Sequence, residues 1–268
     1  GSKTLGEIEL ERKASGALSI KGNFMAGSLT YDGPIIMQGS ITSPSWTQEF
    51  KTNIHLTKGD FKFINPLENK YKIENGAKII VDNGNAVVGN IYGRKYRVED
   101  KEGRVGVFQI QEHRTNVSAL QGKIIAENIV NTVSLDADTI IVLNVEEDSV
   151  LSAREILFYG SKLTFDCLIK LKQNGTIRFF ETFSIQGLSG DAIIELENGK
   201  KIRLFDLKTK KIKDLADEFV PHKENYNKDA TMVGNGFTIT YDMLDNLSKK
   251  PTKKSKSNWK SKFKLSKD

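Results

Sequence analysis

Lys162-Leu163-Thr164-Phe165-Asp166-Cys167-Leu168-Ile169-Lys170-Leu171-Lys172 alternates apolar and polar side chains. Leu163, Phe165, Cys167, Ile169 and Leu171 fall on one face, and the other face is mostly charged or polar. A period of two is the period of a pleated strand, so the stretch predicts one long strand with a single buried side. Shorter segments of the same kind are Phe50–Leu56, Lys78–Asp82, Val105–Gln111, Thr139–Asn144, Ile177–Phe183, Ala192–Leu196 and Lys201–Leu207.

Turn chemistry separates these runs. Asp32-Gly33, Asn75-Gly76, Asn83-Gly84, Asn174-Gly175, Asn198-Gly199 and Asn235-Gly236 accept the positive φ of tight hairpin turns. Alternation plus hairpin dipeptides predicts an all-β chain built as an antiparallel β-sandwich. Phe108-Gln109-Ile110-Gln111 and Phe183-Ser184-Ile185-Gln186 are similar, which leaves an internal duplication open. Glycine-punctuated apolar pairs between Leu18 and Ser40 also fit the rungs of a β-solenoid, but their period drifts and the sandwich is preferred. One or two short C-terminal helices complete the expectation. Ile212, Leu215, Ala216 and Phe219 share a helical face that stops at Pro221, and Met243, Leu244 and Leu247 repeat the pattern. The expected layout is a first β layer over 3–100, a second over 104–242, and a helix with a basic tail over 243–268.

Charge sharpens that layout. Residues 249–268 hold nine lysines and one aspartate, a local +8. Subtracted from the whole-chain +6, this leaves −2 for residues 1–248, so the body is close to neutral. No apolar run long enough for a membrane-spanning helix occurs, and the N-terminus shows no signal-peptide core. Gly1-Ser2 reads as a cloning remnant. The lone Cys167 reads as a small buried hydrophobe and fits a reducing, intracellular compartment, cytoplasmic or mitochondrial.

Candidate chemistry is sparse. His55 lies on the polar side of its run, His113 in a Glu-His-Arg turn and His222 in a loop, and none has a second ligand at metal-binding spacing. Asp136 and Asp138 would share a face on a strand and could hold a hard cation, but the passage reads more simply as a solvated turn before Thr139. No phosphate-binding loop, dinucleotide fingerprint or nucleophile motif is present. The expectation is therefore a protein without catalytic residues, cofactor or metal.

The tail carries the clearest physical case for function. Lys249, Lys250, Lys253, Lys254, Lys256, Lys260, Lys262, Lys264 and Lys267 interleave with Trp259 and Phe263, a composition unable to form a core. Each lysine near an anionic bilayer contributes about 1 kcal/mol, and an inserted Trp or Phe adds a non-electrostatic grip. The segment resembles the basic, aromatic effector segment of the myristoylated alanine-rich kinase-C substrate family. That resemblance implies that phosphorylation at Ser257 or Ser261 would weaken membrane contact. The same lysines could neutralise nucleic-acid phosphates while Trp259 stacks on a base.

Three passages resemble the β-sandwich family named for altered inheritance of mitochondria, whose fold is similar to the tryptophan RNA-binding attenuation protein. They are Ile73–Val87, Asp148–Leu157, and Phe179–Phe183 leading into Gly190–Ile194. The resemblance implies a non-catalytic, oligomer-forming body linked to mitochondrial inner-membrane organisation. The functional expectation is a scaffold that assembles with itself or with protein partners through β edges and contacts anionic membrane through its tail. Alternatives are an RNA- or DNA-associated protein using the same tail, and a viral or phage structural subunit.

Overall fold

The computed structural model describes residues 2–5, 8–25, 27–44, 51–64, 70–99, 106, 108–160, 163, 167–179, 192–203 and 237–246. The chain opens with β1 (Ser2–Leu5), β2 (Ile8–Arg12) and β3 (Leu18–Lys21), paired antiparallel in sequence. From there it winds. β4 (Gly27–Asp32), β5 (Ile35–Gln38) and β6 (Ile41–Thr42) form the three sides of one turn. β7 (Thr52–Lys58), β8 (Phe61–Phe63) and β9 (Lys72–Glu74) form the next, and β10 (Lys78–Val81), β11 (Ala86–Val87) and β12 (Asn90–Tyr92) a third. A hairpin of β13 (Arg94–Glu99) and β14 (Phe108–His113) interrupts the winding. It resumes with β15 (Thr115–Ile125) and β16 (Asn128–Val130), then β17 (Val133–Val142) and β18 (Asn144–Glu146). β19 (Val150–Phe158) and β20 (Leu168–Phe179) follow, and the stack finishes with β21 (Ile193–Leu196), β22 (Lys201–Arg203), β23 (Phe237–Thr240) and the helix α1 (Tyr241–Asn246).

Each strand pairs in parallel with its counterpart one turn away, which makes the body a three-sided β-solenoid. The first side runs β4-β7-β10-β15-β17-β19-β20-β21. The second runs β3-β5-β8-β11 and then through the later halves of β15, β17, β19 and β20. The third is the separate sheet β6-β9-β12-β16-β18. β15, β17, β19 and β20 cover two sides each, with register shifts at Ala119/Lys123 in the β15–β17 pairing and Ala153/Glu155 in the β19–β20 pairing.

The interior is three columns of aliphatic side chains stacked rung on rung. On the first side, Ile54, Ile79, Val117, Leu135, Leu151, Ile169 and Ile194 are in register and fully buried. Ile35, Phe61, Ala86, Ile124, Ile140, Ile156 and Ile177 form the second column. Ile41, Ile73, Ile91, Ile129 and Val145 form the third, extended by bridges to Phe24 and Leu163. β-Branched side chains suit this interior because their fixed χ1 packs well between pleated neighbours about 4.8 Å apart. Phe158 and Phe179 stack at 5.0 Å between ring centroids on adjacent rungs.

Polar ladders hold the corners. Asn128 Nδ2 donates to Asn90 Oδ1 at 2.9 Å and Asn144 Nδ2 to Asn128 Oδ1 at 3.0 Å, one rung at a time. At another corner the Asn85 amide donates to Asp60 Oδ1 and the Lys123 amide to Asn85 Oδ1, both at 2.8 Å. Backbone approaches there so closely that a Cβ on Gly84 would collide with the Gly59 carbonyl, and one on Gly122 with the Gly84 carbonyl. Antiparallel pairing marks both ends of the stack. At the C-terminal end β21 and β22 form a hairpin, β23 runs antiparallel to β20, and α1 buries Tyr241 and Leu244. Lys200 Nζ donates to the carbonyls of Leu244 and Asp245 at 2.6 Å each, satisfying the helix C-terminus.

The expected antiparallel sandwich is therefore wrong, and with it the fold implied by the family resemblance. Alternation with one solvated face is the usual mark of antiparallel sheets. In a solenoid, parallel strands share the mark, since one face lines the interior and the other meets water. The predicted strand over 162–172 is split: Leu163 pairs with Val145 on the third side, whereas β20 begins at Leu168 one side later. The turn dipeptides are mostly corners between parallel rungs. Asn75 and Gly76 take φ of 55° and 84° between β9 and β10, and of the six only Asn198-Gly199 closes an antiparallel hairpin among the described residues. Asp136 and Asp138 sit within β17, not in a turn. α1 is the one helix among the described residues; the predicted helix at 212–219, the repeat at Phe183–Gln186 and the Asn235-Gly236 turn lie outside them. A single buried cluster runs from Leu18 to Leu244.

Two substitutions test this interior. Ile140→Ala should cost about 2–5 kcal/mol in urea unfolding, because both neighbours in its column are fixed by ladder hydrogen bonds and cannot close the gap. Glu127 is buried at a corner, its Oε2 lacks a hydrogen-bond partner among the described residues, and burial raises its pKa above 4.5. A raised carboxyl pKa stabilises the fold when protonated, and that stability is lost as the pH rises through the folded value. Glu127→Gln should thus raise the thermal midpoint near neutral pH, and the advantage should vanish as the pH falls below about 4.5.

Candidate anion-binding cleft

The hairpin β13–β14 leaves the solenoid at the corner between its third and first sides, just before β15. The angle between its base and the first side is a cleft of about 480 Å³. Ser43, Pro44 and Lys51 line one wall, Asn75 and Gly76 the corner, Glu112, His113 and Arg114 the hairpin base, and Asn53, Lys78 and Asn116 the floor. Asn53, Lys78 and Asn116 are direct partners across β7, β10 and β15. They form a row along the solenoid axis with a spacing of about 4.8 Å per rung.

Arg114 ties the hairpin to the body. Its Nη1 donates to the carbonyls of Val133 and Asp148 at 3.4 and 3.2 Å and to Ser134 Oγ at 3.1 Å. Thr115 Oγ1 donates to the Tyr92 carbonyl at 2.6 Å and accepts the Gly76 amide at 3.0 Å. On the hairpin, Tyr96 stacks on His113 with 5.5 Å between centroids and 14° between planes. The Arg94 guanidinium lies 4.8 Å from the Tyr96 ring centroid, and the Tyr96 hydroxyl donates to Gln111 Oε1 at 2.8 Å. The ring contacts stiffen the hairpin itself, and the Arg114 and Thr115 bonds fix its base against the body.

The electrostatics are cationic. Glu112, the one carboxylate in the lining, is shared between Lys95 at 3.7 Å and Arg114 at 3.8 Å. Lys95 also binds Asp148 at 2.7 Å, and that hydrogen bond holds its ammonium pKa above the ordinary value. Lys51 and Lys78 are exposed and have no carboxylate partner among the described residues. Two uncompensated ammonium groups, three asparagine amides and a neutralised carboxylate can bind an anion that also carries hydrogen-bonding groups.

The residues singled out from sequence fall elsewhere, with one exception. Lys249, Lys250, Lys253, Lys254, Lys256, Trp259, Lys260, Lys262, Phe263, Lys264 and Lys267, with Ser257, Ser261 and His222, lie outside the described residues. His55 is on the outer face of β7, its Nε2 2.7 Å from Asp82 Oδ2. Asp138 is gripped by Arg154 through two contacts of 3.1 and 3.2 Å, which hold its pKa below the usual carboxylate value, and Asp136 lies 3.5 Å from Lys172. These carboxylates face cations, not a shared vacancy. Cys167 is buried. Only His113 lines the cleft. The cleft itself was not visible in sequence, because Asn53, Lys78 and Asn116 come together only through inter-rung register.

Arg114→Ala should free the hairpin without unfolding the solenoid. Limited proteolysis should then cut within 94–113 well before the rest of the chain, with a global stability loss of about 1–3 kcal/mol from the unsatisfied carbonyls. Simultaneous loss of all protected fragments would refute the anchoring role.

Compared with known protein families, curated proteins and solved structures, the chain has no match.

Proposed function

We propose that the protein is a rigid, non-catalytic scaffold held at an anionic membrane surface by its cationic C-terminal segment. The observation that carries this reading is the position of α1. Its buried Tyr241 and Leu244 and the Lys200 contacts dock it on the last rungs, and Lys249 follows Asn246 by three residues. The nine lysines of 249–268 therefore follow in sequence from a helix that is itself fixed to the body. A cationic segment so placed sets the body on a surface and leaves its sides available to partners. The body adds its own anion-accepting cleft. β1 and β22 close the two ends of the long sheet path, and pairing along such edges is the route by which copies or partner proteins would join the scaffold.

Co-sedimentation with vesicles of phosphatidylserine and phosphatidylcholine tests the reading. The full chain should pellet with anionic vesicles and not with neutral ones. Removal of 249–268 should abolish pelleting while leaving the thermal midpoint unchanged, since no described core residue lies beyond Leu244. Preferential capture by single-stranded RNA in a mixture with the vesicles would transfer the segment to nucleic-acid binding. Unfolding on removal of the segment would end the scaffold-and-anchor division.

A further inference from the structure

We propose that the cleft at the base of the hairpin binds an acidic linear oligosaccharide, lying along the solenoid axis over Asn53, Lys78 and Asn116. This site is separate from the cationic segment and stands or falls without it.

Three features select that ligand. Lys51 and Lys78 supply positive charge that no described carboxylate neutralises, so the ligand is anionic. Asn53, Asn75 and Asn116 keep amide groups available: Asn116 Nδ2 donates one hydrogen to the Arg114 carbonyl and Asn75 Nδ2 one to Thr42 Oγ1, which leaves each a second N–H to give and an Oδ1 acceptor that needs a donor. A bare phosphate or sulfate presents acceptors and cannot satisfy them, whereas sugar hydroxyls both donate and accept. The lining repeats along the axis at the rung spacing, as a polymer of short rigid units would require. A volume of about 480 Å³ falls in the range of small-ligand sites, enough for a few sugar rings.

Single-stranded nucleic acid fits less well. Base binding needs an open aromatic face. The aromatic ring in the described lining is that of His113, and one of its faces is covered by Tyr96. The ligand's charged group is a carboxylate or a sulfate ester, and parallel titrations distinguish them.

The test is calorimetric titration of the full-length chain with a tetragalacturonate, its fully methyl-esterified form, a sulfated tetrasaccharide and a single-stranded RNA. The Lys51→Gln/Lys78→Gln double variant is titrated alongside. Since 249–268 is present in both proteins, the difference between them reports the cleft. At least one acidic saccharide should bind, and the double variant should bind it at least about tenfold more weakly. If tetragalacturonate is that ligand, its methyl ester should show a similar loss. In the unsubstituted protein, saccharide should shift the backbone amide resonances of Gly76 and Asn116, a readout that does not depend on how the variant folds. Equal affinity in the double variant, shifts confined to 249–268, or RNA binding that is tighter and equally dependent on Lys51 and Lys78 would overturn the assignment.

Discussion

Every rung of this protein is held by the backbone hydrogen bonds of the rungs on either side, and that requirement dictates the rest. Parallel ladders in register force each residue to sit above a residue of the same orientation one turn away. An interior position must then be apolar in every turn, as the columns from Ile54 to Ile194 and from Ile35 to Ile177 are. A corner must bring backbones together in every turn, which is why Gly59, Gly84 and Gly122 stand over one another. Polar corner residues face the same demand and answer it by bonding to their own kind, as Asn90, Asn128 and Asn144 do. The register is thus specified several times over, by side chains of different chemistry.

The same constraint shapes the exterior. Outward residues of successive rungs also align, so functional groups arrive in rows instead of clusters. On the first side one such row is Asn53, Lys78 and Asn116. Another brings Asp136, Ser152, Lys170 and Glu195 together, where opposite charges stand on neighbouring strands. The first row faces an inserted hairpin and becomes a cleft. The second lines only a smaller pocket of about 200 Å³, where Lys170 and Lys172 are balanced by Glu195 and Glu197. An insertion at one corner is enough to turn a repetitive surface into a site, because the solenoid core is unaffected by what a corner carries.

Much of the strand content was legible from alternation, and the buried set around Cys167, Ile169 and Leu171 is as the pattern implies. The direction of pairing was not. Interior positions recur 16 residues apart from Ile124 to Ile140 and from Ile140 to Ile156, but Ala86 and Ile124 are separated by the whole hairpin. That irregularity concealed the repeat. The turn dipeptides were read as hairpins because Asn-Gly supplies positive φ equally well to a hairpin and to a solenoid corner. Leu163, which alternation placed in one strand with Ile169 and Leu171, pairs with Val145 on a different side of the body.

Sequence alone determined the inward residues of most solenoid strands and the concentration of charge in 249–268. These are local properties, fixed by side-chain chemistry over a few residues. It missed that Phe108 and Ile110 of the hairpin face outward and that Asp136 and Asp138 lie in a strand and not a turn. Tertiary structure decided the parallel winding, the bringing together of Lys51, Lys78, Asn116 and Arg114, and the docking of α1 on the last rungs. Those depend on register between rungs. Register is chosen by the fit of whole columns and corners, a collective quantity that no single stretch of the chain contains.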